Sequence, residues 1–89
     1  MIYQKNENFD YIKSDKQSLA VFDPEAGNVH FFDEVGIDIL NILSTPHSLE
    51  ALIEELCEIY NVTPEQIEND VKEFINDTIE KKVIISIWK

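Results

Sequence analysis

The stretch 28–43, Asn-Val-His-Phe-Phe-Asp-Glu-Val-Gly-Ile-Asp-Ile-Leu-Asn-Ile-Leu, constrains this chain more than any other. A short apolar run, Val29 to Phe32, has strand character, stops at Asp33 and turns directly into a helical pattern. Asp33 suits an N-cap, because its carboxylate can accept a free N–H of the first turn, and Glu34 complements the positive end of the helix dipole. Val35, Ile39, Ile42 and Leu43 mark one apolar stripe of that helix, widened by Leu40. Two further helical segments follow this junction, and a mostly β-prone segment precedes it. The flanking segments have to build around this junction.

Upstream, Asp23-Pro24-Glu25-Ala26-Gly27-Asn28 is a turn sequence, so residues 19–22 and 29–32 pair as a hairpin. Residues 9–13 (Phe9, Tyr11, Ile12) suit a further strand, separated from 19–22 by the polar turn 14–17. Residues 1–8 are mostly polar and are expected to be loosely ordered. Downstream, Ser44-Thr45-Pro46-His47-Ser48 breaks the first helix, with Thr45 or Ser48 as the next N-cap. Leu49, Leu52, Ile53, Leu56, Cys57 and Tyr60 then recur at helical spacing on one face. Thr63-Pro64-Glu65-Gln66 starts a third helix with an N-cap, a proline at the first position and a capping-box glutamine. Ile67, Val71, Phe74, Ile75, Thr78 and Ile79 share its apolar face, and it ends near Lys81-Lys82. Residues 83–88, ending in Trp88, are β-prone and able to return to the sheet as a wing. The pattern predicts an α+β, winged helix-turn-helix-like domain over residues 1–89. It has a three-stranded antiparallel sheet followed by three helices and a short C-terminal strand.

Charge decides among functions for such a shape. With 18 acidic against 7 basic residues the formal net charge is −11, which repels phosphate backbones and anionic lipid. A recognition helix over 64–81 would present Glu65, Gln66, Glu68, Asn69, Asp70, Lys72, Glu73, Asn76 and Asp77, a mostly acidic face where a DNA reader needs Arg and Lys. Neither nucleic acid nor membrane is an expected partner. The carboxylates are spread over outward helix faces, the two glycines form no phosphate-cradling loop, and His30 and His47 lack the spaced co-ligands of a metal site. Cys57 falls on an apolar helix face as a small core residue and has no disulfide partner. No apolar run spans a bilayer, and residues 1–8 lack a signal core. The expectation is a cytoplasmic, non-catalytic domain without metal or cofactor.

Interaction remains. Alternation places Val29 and Phe31 on one face of their strand and His30 and Phe32 on the other. If this strand lies at a sheet edge, its unpaired backbone groups invite an incoming peptide. Which of the two pairs faces such a guest stays open at this level.

The run Phe22 to Gly36, continued by Ser48-Leu49-Glu50-Ala51-Leu52, Tyr60-Asn61-Val62 and the segment 65–75, resembles the PqqD-like family over residues 9–85. It departs from the family pattern at Asp33, where Asn is usual, at Ser44-Thr45-Pro46, which replaces an Asp-Gly turn, and at Lys82, where a glycine usually precedes the last apolar pair. The resemblance implies a RiPP recognition element, which captures the leader of a ribosomally made precursor peptide and presents its core to a peptide-modifying enzyme or leader peptidase. It implies that the leader adds as a strand beside Val29, His30, Phe31 and Phe32. The facing wall would come from Val71, Phe74, Ile75, Thr78 and Ile79. Two other readings stand beside it: a winged-helix protein–protein adaptor without leader recognition, and an acidic helix-turn-helix transcriptional regulator. An exposed edge at 29–32 also allows a homodimer through that strand.

Overall fold

The structure, a computed structural model, describes residues 1–15 and 17–87. Lys16 of the expected turn, Trp88 of the expected last strand, and Lys89 lie outside the described residues. The chain runs β1 (Ile2–Lys5), β2 (Asp10–Asp15), β3 (Ser18–Asp23), β4 (Asn28–Phe32), α1 (Glu34–Ile42), β5 (His47–Ser48), α2 (Leu49–Tyr60), α3 (Pro64–Glu80) and β6 (Ile84–Ile87). This is the expected α+β, winged-helix-like arrangement, with one strand more at the N-terminus and a two-residue strand before α2.

The antiparallel sheet β2-β3-β4 is the expected meander, with a register shift in β2 between Lys13 and Asp15. The β3–β4 turn is built by Asp23, which is buried although charged. Its Oδ1 accepts the N–H groups of Glu25 (2.9 Å) and Ala26 (3.2 Å). Its carbonyl accepts the N–H of Gly27 at 2.8 Å. Gly27 closes the turn at a φ of +74°, the left-handed region where a side chain is strained. The register that follows pairs Phe22 with Val29, Val21 with His30 and Leu19 with Phe32. Val21, Leu19 and Phe32 are buried, so this parity sets the inner face of the sheet.

Local chemistry fixes the helix starts. Asp33 caps α1 by accepting the Gly36 N–H at 3.1 Å, and Ser48, not Thr45, caps α2 by accepting from Ala51 at 3.1 Å. The Gln66 side chain reaches back to the Thr63 N–H at 2.9 Å and fixes the start of α3. At the far end of α3, Lys82 takes a φ of 66°. Its N–H then meets the Ile79 carbonyl at 3.0 Å while Val83 N–H meets that of Thr78 at 2.9 Å, a Schellman closure. Ile39, Leu40, Leu43, Leu52, Leu56, Val83 and Ile84 form the fully buried centre where the helices meet the strands.

Three expectations need correction. Residues 1–8 are not loose: β1 is the middle strand of a second sheet, β5-β1-β6. Lys5 N–H also donates to Leu43 O at 2.7 Å and Asn6 N–H to Val83 O at 2.9 Å. The physical reason is that β6 and the buried Val83–Ile84 pair need a cross-strand partner, and β1 supplies it from the far end of the chain. For the same reason the described part of the C-terminal strand does not return to the first sheet; β6 pairs with β1. Third, Val35 does not begin the buried stripe of α1. That helix buries Gly36, Ile37, Ile39 and Leu40, while Val35 is 46% exposed. The two sheets are joined at their seam by Tyr11, whose hydroxyl donates to Asn6 O at 2.6 Å and whose ring lies under Lys5 Nζ at 4.5 Å.

Candidate functional site

In the order β2-β3-β4, β4 is an outer strand, and no other strand among the described residues pairs with its free side. Alternate residues of an antiparallel strand direct their N–H and C=O groups to each edge, so this side offers a ladder with no partner. The structure shows which pair of β4 faces the core. Val29 (48%) and Phe31 (73%) face outward, whereas Phe32 is buried and His30 half-buried on the core side.

On that core side the strand meets α3 through one ring contact. Phe32 and Phe74 lie edge to face, 5.7 Å between centroids at 61°. Gly36 explains how they fit: a Cβ there would stand 3.0 Å from Phe32 Cβ and 3.3 Å from Phe74 Cε2. The missing side chain lets both rings settle onto the first turn of α1. Beside the pair opens an apolar cavity of ≈ 410 Å³ between the helices. Its walls are Val35 and Ile39 from α1, Leu56 and Tyr60 from the end of α2, and Ile67 and Phe74 from α3, with Val71 at its floor. Such a volume lies in the ~300–1,000 Å³ range of sites that enclose small apolar groups.

Of the expected wall, Phe74 and Val71 reach this site and three residues do not. Ile75 is buried and turns toward Tyr3 of β1 and Leu49 of α2. Thr78 is fully buried, its hydroxyl donating to the Phe74 and Ile75 carbonyls at 2.7 and 3.2 Å. Ile79 packs half-buried against the main core. The α3 residues that line this cavity are Ile67, Asp70, Val71 and Phe74. The apolar lining residues Val35, Ile39, Leu56, Tyr60, Val62 and Ile67 were not part of the expected wall.

Carboxylates surround the cavity. Asp33 and Asp70 line it, and Asp38 accepts a hydrogen bond from the Tyr60 hydroxyl. Partial burial, then that bond and the charges of Asp38, Glu34 and Asp33, hold the Tyr60 hydroxyl above the usual tyrosine range, so it stays a donor. His47, by contrast, is turned away, paired with Glu55 and with the Thr45 carbonyl. No group of acidic, histidine or cysteine side chains suited to a metal ion occurs among the described residues. Among them, no helix is long and apolar enough to cross a membrane.

No curated protein matches the chain. Among solved structures it is similar to TbiB1, solved in complex with the TbiA(beta) leader peptide, at a TM-score of 0.81. That superposition covers 97% of this chain and 99% of the other at 17% identity, a shared fold with little shared sequence. A family model described as coenzyme PQQ synthesis protein D (PqqD) matches residues 18–84, from β3 through all three helices to the start of β6. On that match across three-quarters of its length, the chain belongs to the PqqD family.

Proposed function

We propose that this domain captures the leader segment of a ribosomally made precursor peptide and presents it to a separate peptide-modifying enzyme. The leader adds as a strand to the free side of β4 and sends its inward side chains toward Phe74 and the adjoining cavity. The observation that carries this reading is the unpaired β4 ladder lying next to an apolar cavity. Backbone bonding then supplies general affinity and the cavity supplies selection. β6 pairs with β1 and leaves β4 uncovered, which favours leader capture over an adaptor that uses only helix faces. The family membership and the likeness to a leader-bound protein support the same reading. In it the domain is a binding partner and the chemistry belongs to the enzyme; both work in the cytoplasm, where the half-buried Cys57 needs no disulfide partner.

The test is a titration of isotope-labelled protein with the N-terminal half of a short peptide encoded beside this gene, followed by amide chemical shifts. Val29 to Phe32 and the segment around Phe74 are expected to move together. If the peptide binds while these amides stay still, strand addition at β4 is wrong. Phe31→Asp serves as a control: Phe31 is exposed, so the fold survives and only contacts to outward-facing leader side chains are lost.

A further inference from the structure

Building on the leader-capture reading, we infer that the cavity between α1, α2 and α3 selects a leader segment in which an apolar anchor residue is flanked by lysine or arginine. The cavity walls are apolar, but its surroundings carry one sign of charge. Asp33 and Asp70 line it, Asp38 holds Tyr60 at its wall, and Glu34 stands in the first turn of α1 between the lining residues Asp33 and Val35. None of these four carboxylates takes part in the lysine ion pairs among the described residues, which are Lys72–Glu68 and Lys81–Asp77. With a net charge of −11 the molecule adds a long-range field of the same sign. An anchor flanked by carboxylates would meet repulsion on every approach. One flanked by cations meets two exposed carboxylates, Glu34 and Asp70, that take no hydrogen bond or ion pair among the described residues. Asp33 and Asp38 are already committed to the α1 cap and to Tyr60. Selection would thus divide between hydrophobic burial of the anchor and charge pairing at its flanks.

The experiment uses three synthetic ten-residue peptides on a common Ser/Thr-rich extended backbone, bound to the full chain and read by fluorescence anisotropy and amide shifts. One carries a leucine between two lysines, the second a leucine between two glutamates, the third an alanine between two lysines. The lysine-flanked leucine is expected to bind about tenfold or more tighter than either of the others, an advantage that shrinks as salt screens the charges. Glu34→Gln combined with Asp70→Asn should cut the lysine-over-glutamate ratio to below about threefold without altering the leucine-over-alanine preference. Equal affinity for the lysine- and glutamate-flanked peptides, or binding of neither, overturns the inference. A charge preference that persists while Val29 to Phe32 do not shift leaves the inference standing and removes strand addition instead. A concentration-dependent dimer that excludes all three peptides would assign the cavity to a second copy and also overturn it.

Discussion

Gly36 and Lys82 show opposite relations between a residue and its backbone. At Gly36 the constraint is space: a methyl group would press on Phe32 Cβ, an atom fixed by the strand. Gly36→Ala gains up to about 1 kcal/mol of helix propensity. It loses about 1–3 kcal/mol to overpacking. The expected result is a net loss of about 1 kcal/mol in a urea titration, with weaker peptide binding because the Phe32–Phe74 pair is pushed apart. At Lys82 the constraint is φ, 66°, where the family pattern has glycine. Lys82→Gly removes a left-handed penalty of about 1 kcal/mol. It should raise the melting temperature by about 4–8 °C. A fall in melting temperature would show that the Lys82 side chain contributes more than its backbone costs.

Elements whose cause is local were legible in the sequence, and those with a distant cause were not. The caps Asp33, Ser48 and Thr63, the Asp23–Gly27 turn and the faces of α2 and α3 are decided within a few residues. β1 was missed because Gln4, Lys5 and Asn6 look like a polar end, and its partner strand lies at the opposite end of the chain. The face of α1 was misjudged at Val35 because apolar residues at 35, 37, 39, 40, 42 and 43 surround the helix and periodicity alone selects no side. The β4 side of the site was visible as an apolar strand before a cap. Its parity was not, since Val29, Phe31 and Phe32 place apolar groups on both faces. The cavity was hidden because three helices contribute to it. Deleting residues 1–5 tests the corrected view of β1. Removing the β1 pairings to β5 and β6, each worth ~0.2–1 kcal/mol, should cost about 3 kcal/mol in denaturant unfolding. A loosely ordered end would cost almost nothing.

For the whole molecule, alkali is the informative stress. Burial, with Glu7 adding to it, pushes the Tyr11 hydroxyl above the tyrosine range, and Tyr60 is raised as well. An unfolded chain releases these protons near pH ~10, earlier than the folded one. Their contribution to stability is therefore complete below pH ~10 and declines as the pH rises beyond it. The carboxylate excess makes each further negative charge more costly to hold in the folded form. Thermal melts should show stability flat from neutral to about pH 9, then falling, with Tyr11→Phe showing a shallower fall than the wild type. An unchanged slope in that variant would mean that Tyr11 is free to ionise in the folded protein.

Ile2 and Ile87 stand opposite each other in the β1–β6 ladder, their Cα atoms about 5 Å apart. The described chain thus enters and leaves the fold side by side, through strands of a different sheet from the one that holds the free β4 edge. A label or linker joined at either end would therefore attach to the β5-β1-β6 sheet, not to the sheet that carries β4.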